Sequence, residues 1–394
     1  MNWLDAAEKL AAIDRSEVRF DPQACVHSQS RSAQCDACRD LCPPDAIQPG
    51  TPPQMDAERC ESCLACLTAC PYSAFTADDS VQALLTSAAR IETSRLEIIC
   101  GQHPAPQTGL SDATAVMVRG CLAGLGAGAV LALLSLGLNE IHIRAEACET
   151  CSWSILFPRL AEQVHIAQTI SHACTTGGIV FHTQDPSDLA ERPVWDAHNL
   201  PLSRRDLFRL ASRQGQVAAA RMLSQGTQTR HARPSRDRAR MAAAVEQLKT
   251  GGLSPDVTLD HLGFADLQIS PECSACAACT RVCPTGALRM HQEVESFQIT
   301  FNAAWCTGCG LCRDVCAIAA VQLNFNPPVQ VVFSGERVAA SGELIRCDRC
   351  NALTAVQPGK KLCPACEYRR SHPFGAKLPP GLQQNYLLGK NRKQ

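Results

Sequence analysis

The sequence predicts an α+β protein in which two small cysteine-rich modules flank a parallel-sheet domain, with a further cysteine-rich segment towards the C-terminus. Three observations support this fold class. Short cysteine motifs occur as two pairs, within residues 21–80 and 266–330. Apolar runs typical of strands alternate with helical stretches over residues 81–200, which is the pattern of a parallel sheet covered by helices. Two Cys-x2-Cys knuckles lie close together within residues 340–370.

The composition points to metal binding. The chain has 394 residues, a length typical of about two to four domains, and 25 of them are cysteines. Because the cysteine spacings are those of metal sites, we expect reduced thiols and a cytoplasmic protein rather than a disulfide-bonded one. Within residues 1–20 the apolar residues Trp3, Leu4, Ala7, Leu10 and Ala11 approximate one helical face, which predicts an amphipathic helix. The same residues lack a basic region followed by an apolar core, so no signal peptide is expected.

The motifs within residues 266–330 follow the spacing Cys-x2-Cys-x2-Cys-x3-Cys, the signature of cubane [4Fe–4S] clusters in bacterial ferredoxins. In two-cluster proteins the fourth cysteine of each motif ligates the cluster of the other motif. Ala317 replaces the proline that usually follows this cysteine, but proline is not a ligand, so both clusters are expected; a zinc knuckle is the alternative. One cluster is predicted on Cys273, Cys276, Cys279 and Cys316, and its neighbour on Cys283, Cys306, Cys309 and Cys312.

The module within residues 21–80 follows the same rule with one gap. Ser32 stands where the first cysteine of the first motif should be. We predict that Cys25 completes this site through a looped-out segment. A three-cysteine [3Fe–4S] cluster, or Ser32 as an oxygen ligand, are the alternatives. The predicted clusters therefore use Cys42, Cys60, Cys63 and Cys66 at one site, and Cys25, Cys35, Cys38 and Cys70 at the other.

The middle domain carries another set of cysteines. Strands are predicted over residues 96–100, 114–118, 141–144 and 179–182, and four cysteines follow the first three of them. Because ligands bind at the carboxyl ends of strands in open α/β sheets, these thiols are expected at one edge of the sheet. A fifth iron–sulfur cluster of unspecified type is predicted there, with zinc, buried structural cysteines, or His103 replacing one thiolate as alternatives. The predicted ligands are Cys100, Cys121, Cys148 and Cys151.

Residues 121–138 form an uncharged stretch of 18 residues, at the threshold for a transmembrane helix. The strands predicted on both sides favour a buried helix of a βαβ unit instead, so no membrane span is expected. Gly124, Gly126 and Gly128 lack the order of a dinucleotide-binding loop, and they indicate close helix packing.

The C-terminal knuckles resemble a zinc ribbon or, as an alternative, a rubredoxin-type iron site. Too little sequence surrounds them for a hydrophobic core, so one zinc ion is expected to supply the folding energy. Residues 371–394 form a basic tail. The four predicted zinc ligands are Cys347, Cys350, Cys363 and Cys366.

A connector is predicted over residues 201–265. Residues 203–240 contain ten arginines against two aspartates. Residues 203–209 match the sequence pattern of a twin-arginine export signal, but they lie mid-chain and no apolar region follows them. Phe208 is the only Phe, Tyr or Trp among these arginines, so a solvated linker or a docking site for an acidic partner is predicted rather than a nucleic-acid interface.

Particular sequence motifs resemble known families. SRRDLFR at residues 203–209, followed by CSACAACTRVCPTGAL and CTGCGLCRDVC, resembles ferredoxin-type proteins encoded with periplasmic nitrate reductases. That resemblance implies a role in assembly of, or electron supply to, exported molybdenum enzymes. LEIIC, RGC-x-AGL and the late cysteine pair resemble the delta subunit of methyl-viologen-reducing hydrogenase, which implies an iron–sulfur cluster in the middle domain. Together the parts resemble large ferredoxin-like proteins associated with formate dehydrogenase.

These resemblances imply an electron carrier rather than an enzyme, since the sequence offers no nucleophile–base pair, carboxylate pair or nucleotide loop. The expected function is to relay single electrons between cytoplasmic redox partners, linked to a respiratory molybdoenzyme such as formate dehydrogenase or to its chaperone. The main alternative is an assembly factor for an exported molybdenum iron–sulfur enzyme. A redox-responsive regulator is a third class, and it requires that the arginine segment bind nucleic acid.

Overall fold

The computed structural model describes residues 18–30, 33–77, 80–91, 93–199 and 233–372. Most of the predicted N-terminal helix, the arginine-rich part of the connector up to residue 232, and nearly all of the basic tail lie outside the described residues. The chain divides into two compact units at Ser254, with residues 29–33 and 232–234 grouped with the second unit. Helices and strands are mixed along the chain, as the α+β prediction requires.

The first cysteine-rich module is small, and its two ends are joined by a pair of strands. Its first and last strands pair antiparallel, with Phe20 opposite Phe75 and their ring centroids 4.9 Å apart. A two-strand hairpin separates the cysteine motifs. The elements are β1 (Arg19–Phe20), α1 (Val26–Gln29), α2 (Ala37–Asp40), β2 (Ile47–Gln48), β3 (Gln54–Met55), α3 (Ala65–Ala69) and β4 (Phe75–Thr76).

A five-stranded parallel sheet is the centre of the rest of the first unit, and its strands lie in the order β11 (Val194–Asp196), β7 (Thr114–Val118), β5 (Arg95–Cys100), β8 (Glu140–Arg144) and β9 (Gly178–His182). The central strands are buried on both faces: Ile98 and Val116 are fully buried, and so is Glu97 on the opposite face of its strand. The parallel sheet is confirmed. The elements are α4 (Val81–Ala88), β5 (Arg95–Cys100), β6 (Thr108–Leu110), β7 (Thr114–Val118), α5 (Gly126–Leu134), β8 (Glu140–Arg144), α6 (Phe157–Ala173), β9 (Gly178–His182), β10 (Leu189–Glu191), β11 (Val194–Asp196) and α7 (Arg236–Leu248).

The uncharged stretch at residues 121–138 is a short 3₁₀ turn followed by α5, a buried helix of nine residues. Helices α6 and α7 pack against it. Within the ranges that the structure describes, no helix has both the length and the apolar character needed to cross a membrane. We predicted a connector over residues 201–265, but α7, which lies in that range, packs within the first unit.

The glycines of this stretch make room for an aspartate. The buried Asp237 of α7 accepts a hydrogen bond from the Gly128 backbone N–H at 3.0 Å, at the start of α5. A Cβ at Gly126 would lie 2.3 Å from the Asp237 Oδ1 atom. The expected close helix packing is confirmed. The positive end of the helix is occupied by a carboxylate of this chain, in the place where a dinucleotide phosphate would have to bind.

Gly128→Ala is expected to destabilise the first unit by about 1–3 kcal/mol or more, because its Cβ would lie 2.1 Å from the Asp237 backbone oxygen and nothing flexible can yield. Thermal unfolding followed by circular dichroism measures the loss. Gly251→Ala is the matched control, since its Cβ would meet nothing within 4 Å. Equal melting temperatures for the two variants would contradict the packing described.

The module of the second unit is held together in the same way as the first module, by pairing of its first and last strands, and a further sheet is added to it. Strands β12 (Asp266–Ile269) and β15 (Val321–Asn324) pair antiparallel across the module. An antiparallel sheet in the order β13-β14-β16-β17 leads from the module into the C-terminal cysteine segment. The elements are β12 (Asp266–Ile269), α8 (Ala278–Val282), β13 (Leu288–Gln292), β14 (Ser296–Asn302), α9 (Leu311–Asp314), β15 (Val321–Asn324), α10 (Val329–Val332), β16 (Glu336–Arg346), β17 (Leu353–Ala355) and α11 (Pro364–Ser371).

Candidate metal centres

Three of the four motif loops share one backbone geometry. In each loop the residues just before and just after the middle cysteine are left-handed, with φ between 54° and 79°. Such residues aim successive backbone N–H groups into the loop, and this concavity suits anionic groups such as iron–sulfur clusters. Four of the six are not glycine, so the rest of the module holds them in a strained conformation. The pairs are Ser62 and Leu64, Ala275 and Ala277, and Gly308 and Gly310.

The loop of the incomplete motif differs. The middle cysteine of this motif is Cys35, and neither of its neighbours, the described Gln34 and Asp36, is left-handed. A short helix still begins at Ala37, one residue before the third cysteine position, as it does in the other three loops. This is the loop in which Ser32 takes the place of the first cysteine. The backbone around the middle cysteine therefore differs at the one motif that lacks its first cysteine.

The turns after the fourth cysteines also share one geometry. The third residue after each fourth cysteine is left-handed, and the fourth is a buried alanine. The backbone N–H of Ala46 donates to Cys42 Sγ at 3.3 Å, and that of Ala320 donates to Cys316 Sγ at 3.2 Å. Hydrogen bonds to the ligand sulfurs help to set the reduction potential of a cluster. The left-handed residues are Asp45, Ser73, Gly286 and Ala319.

The second module gathers its thiols in the crossed pattern predicted from the spacing. Burial, and then the charges of Cys273, Cys276 and Cys316, raise the pKa of Cys279 to about 12. Burial and the charges of the neighbouring thiols Cys306, Cys283 and Cys309 likewise raise the pKa of Cys312. We call these groups set 4 (Cys273, Cys276, Cys279 and Cys316) and set 5 (Cys283, Cys306, Cys309 and Cys312).

The first module shows the same crossing, and Cys25 lies within it. Burial, and then the charges of Cys70, Cys35 and Cys25, raise the pKa of Cys38 to about 12. Burial and the charges of Cys63, Cys60 and Cys42 raise the pKa of Cys66. Ser32 lies outside the described residues. We call these groups set 1 (Cys25, Cys35, Cys38 and Cys70) and set 2 (Cys42, Cys60, Cys63 and Cys66).

The chemistry of these donors fits a multi-iron group. Without a cation, thiols that are raised in pKa by burial and by one another stay protonated, and four thiolates in one place repel. Iron bound by the sulfurs removes both penalties, because it replaces the protons and offsets the negative charge. A cavity of about 180 Å³ lies between the thiols of set 4, several times the ~30 Å³ that one water occupies in the liquid.

The parallel sheet brings the middle cysteines to one edge. Strands β7 and β8 both pair with β5, so the ends of the three strands that precede these cysteines are adjacent. Burial, and then the charges of Cys100 and Cys148, raise the pKa of Cys121 to about 12. Burial and the charges of Cys100 and Cys151 do the same for Cys148. We call this group set 3 (Cys100, Cys121, Cys148 and Cys151).

A buried charge network supports set 3, and sequence reasoning missed it. Glu97 is fully buried and pairs with Arg144 at 2.7 Å and with Arg192 at 2.5 Å. Arg144 also pairs with Glu146, two residues before Cys148. Burial alone would raise the pKa of Glu146, but hydrogen bonds from His103 and Arg144 lower it to about 2. The only hint in the sequence is a glutamate inside the apolar strand β5.

His103 belongs to this network rather than to the ligand set. Its Nε2 atom lies 2.9 Å from Glu146 Oε1, and its Nδ1 atom lies 3.2 Å from the Ala105 backbone nitrogen. Both ring nitrogens are therefore engaged, which leaves no donor atom for a metal. Cys174, assigned to no motif, is buried, and burial alone raises its pKa to about 11.

Set 3 adjoins set 2. The backbone N–H of Cys121 donates to the Cys63 carbonyl oxygen at 3.2 Å. The Thr68 hydroxyl donates to the Ala123 carbonyl at 2.7 Å. Trp153 Nε1 donates to Glu61 Oε2 at 2.6 Å. The charge of Cys38 in set 1 also raises the pKa of Cys66 in set 2, so these two sets lie close together as well. The three sets of the first unit thus lie in the order set 1, set 2, set 3.

The C-terminal cysteines form a tighter group than any other. Their four sulfurs lie within 4.8 Å of one another, and no other cluster of three or more Cys, His, Asp or Glu side chains in the described residues is as compact. Two tetrahedral thiolates on one zinc ion lie about 3.8 Å apart, from a Zn–S distance of ≈ 2.3 Å. Cys350 Sγ and Cys363 Sγ are 3.7 Å apart. We call this group the ribbon set (Cys347, Cys350, Cys363 and Cys366).

Cys347 of the ribbon set accepts backbone hydrogen bonds that stabilise a negative charge on its sulfur. The Cys363 backbone N–H donates to Cys347 Sγ at 3.2 Å. This bond and further backbone N–H donors lower the pKa of Cys347 to about 6, and so favour the thiolate form that binds metal. A single ion with four sulfur ligands suits this spacing better than a cubane cluster does.

Comparisons with known proteins agree with this geometry. A family described as a 4Fe-4S dicluster domain matches residues 272–320, which hold sets 4 and 5. The B chain of anaerobic dimethyl sulfoxide reductase from Haemophilus influenzae is 35% identical over 108 residues, covering 27% of this chain and 42% of that protein. The protein of the same name from Escherichia coli K12 is 32% identical over the same length and shares. The chain therefore spans about two fifths of the length of these relatives.

Residues 272–320 thus form a dicluster domain of the ferredoxin type, and the expected ferredoxin-type resemblance is confirmed. The class of function that fold and cysteines define together is electron transfer through iron–sulfur clusters.

Proposed function

We propose that this chain relays single electrons through five iron–sulfur clusters. Sets 1, 2, 4 and 5 would each hold a [4Fe–4S] cluster, set 3 would hold a fifth iron–sulfur cluster, and the ribbon set would hold one structural zinc. The observation that carries the proposal is the gathering of twenty thiols into five groups of four, three of them on loops that aim backbone N–H groups inwards.

The order of the sets supports transfer of electrons from one cluster to the next, rather than clusters that act independently. Sets 1, 2 and 3 adjoin in series within the first unit, and sets 4 and 5 adjoin within the second, where the charge of Cys279 is felt at Cys312. When bound, the clusters supply the one-electron chemistry. The protein positions them and tunes their potentials through burial and through N–H···S hydrogen bonds.

The partners follow from resemblance. The named relatives are each one chain of a reductase, and the sequence resembles ferredoxin-type proteins that accompany molybdenum enzymes. We therefore infer that the relay serves a respiratory molybdoenzyme such as formate dehydrogenase. Its place is a reducing compartment, the cytoplasm, where thiols remain available for cluster assembly.

Metal analysis tests the proposal. Anaerobically purified protein is expected to be brown and to contain about 16 iron atoms from four cubane clusters, the iron of set 3 in addition, acid-labile sulfide and about one zinc. Colourless protein that contains zinc alone would refute it. Reversible reduction of every cluster is the signature of a relay. Clusters that instead pass irreversibly to a cluster-free partner enzyme would favour the assembly factor.

A further inference from the structure

We infer that the C-terminal ribbon is a wall of the set 4 cavity, so that its metal controls how accessible the set 4 cluster is. The inference rests on the proposed function and adds a dependence between two of its metal sites. The carrying observation is that the cavity between the set 4 thiols is lined on one side by Cys363, Pro364 and Ala365. Cys363 is itself a member of the ribbon set.

The ribbon is attached directly to the loop that carries set 4. The Ser274 carbonyl, between the first two cysteines of the set, accepts hydrogen bonds from the Ala355 backbone N–H at 3.1 Å and the Thr354 hydroxyl at 3.3 Å. Gln357 Nε2 donates to the Glu272 carbonyl at 2.6 Å. Ser274 and Thr354 are both buried. Strand β17 therefore rests on the cluster loop as a neighbouring strand would.

The remaining walls of the cavity are apolar. Ile269, Ile299, Ile318 and Val321 line it together with several alanines. Apolar walls exclude water and larger solutes, and exclusion of solvent is one of the levers that set the potential and lability of a cluster. The side formed by residues 363–365 is the one side that belongs to a different metal site.

The metal holds that side in place. Cys363 precedes the first residue of helix α11, and Cys366 lies within its first turn. Both are ribbon-set thiols, so a metal there fixes the start of the helix and with it Pro364 and Ala365. The ribbon offers little apolar burial of its own apart from these cysteines and strand β17, so without metal this end has little to keep it folded.

Cys350→Ala tests the coupling in the anaerobically purified full-length protein. Cys350 is an exposed member of the ribbon set and does not line the cavity. The variant is expected to lose about one zinc per chain. Iron released to a ferrous-iron chelator is expected to gain a fast phase of about four iron atoms, one cubane cluster, at a rate raised by about tenfold or more.

Two proline variants keep the test decisive if Cys350→Ala folds poorly. Pro364→Gly removes part of the wall and leaves all four zinc ligands, so zinc is retained while the same four irons are released faster. Pro358→Gly makes the same change in an exposed turn of the ribbon that does not line the cavity, and it should behave as wild type. Wild-type release from Pro364→Gly would overturn the inference.

Other outcomes are equally clear. If Cys350→Ala loses its zinc and releases all iron at the wild-type rate, the ribbon is not a wall of the set 4 site, although the relay proposal stands. If all the iron is released faster, the variant has unfolded generally and the local coupling is refuted. Wild-type protein without iron and sulfide would refute the proposed function itself, which separates that failure from failure of the inference.

Discussion

Cys25→Ala is expected to convert one cluster of the first module to a [3Fe–4S] form, with the loss of about one iron per chain and a new EPR signal in the oxidised protein. The physical reason is the grouping of set 1. Cys25 is buried, and its charge acts on both Cys35 and Cys38. The charges that act on Cys38 are those of Cys70, Cys35 and Cys25, so the alanine variant leaves three sulfur ligands at this site.

Two matched variants separate a ligand from a merely buried thiol. Cys174→Ala removes another buried cysteine of the same unit, which belongs to none of the sets, and its iron content and spectrum should be unchanged. Ser32→Ala removes the residue at the vacant motif position and should also change neither. If Cys25→Ala keeps the wild-type iron count while Ser32→Ala loses an iron, the oxygen ligand is the correct assignment.

Glu97→Ala is expected to destabilise the first unit by about 3–5 kcal/mol, because it leaves two guanidinium groups buried without their shared carboxylate. Arg144 is 2% exposed and Arg192 is 8% exposed, so water cannot replace the lost partner. The Leu110 backbone N–H, which donates to Glu97 at 3.0 Å, also loses its acceptor. At about 2–4 °C per kcal/mol for a unit of this size, the melting temperature should fall by about 6–20 °C.

Glu246→Ala is the control for this prediction. Glu246 pairs with Lys249 at 2.6 Å, but its side chain is 71% exposed, and its loss should change stability by no more than about 0.5 kcal/mol. Circular dichroism melting of the loaded, anaerobic proteins compares the two variants. A Glu97→Ala protein that melts within a degree of wild type would show that the buried network contributes little to the sheet domain.

The ligand sets show which features a single sequence can reveal. Fixed cysteine spacing constrains the chain so tightly that the members of sets 2, 4 and 5 could be grouped from the spacing alone. The parallel strands could be predicted from short apolar runs, and these placed set 3 at one sheet edge. Strand β11, with the sequence VWD, is only three residues long, too short to give such a signal, and was not predicted.

Contacts between distant residues could not be predicted. Glu97 and Arg144 are 47 residues apart, and nothing in either segment indicates that they pair. Helix α7 looked like part of a connector because three arginines in its first five residues continue the arginine-rich segment before it. Its buried stripe, which includes Met241 and Val245, becomes meaningful only once α5 is available to pack against it. The hydrogen bonds from the ribbon to the Ser274 carbonyl likewise depend on the antiparallel sheet that connects the ribbon to the second module.

The crossed arrangement of the thiols has a consequence for cells that are short of iron. Cys42 and Cys70 each leave their own motif to join the opposite set, so each cluster, once bound, also orders the loop of its neighbour. Filling one site therefore makes the second easier to fill, and a module is expected to be either fully loaded or empty. A shortage of iron would then lower the number of fully loaded proteins and leave few that are partly loaded. The rate of electron transfer would therefore fall steeply below a certain iron concentration.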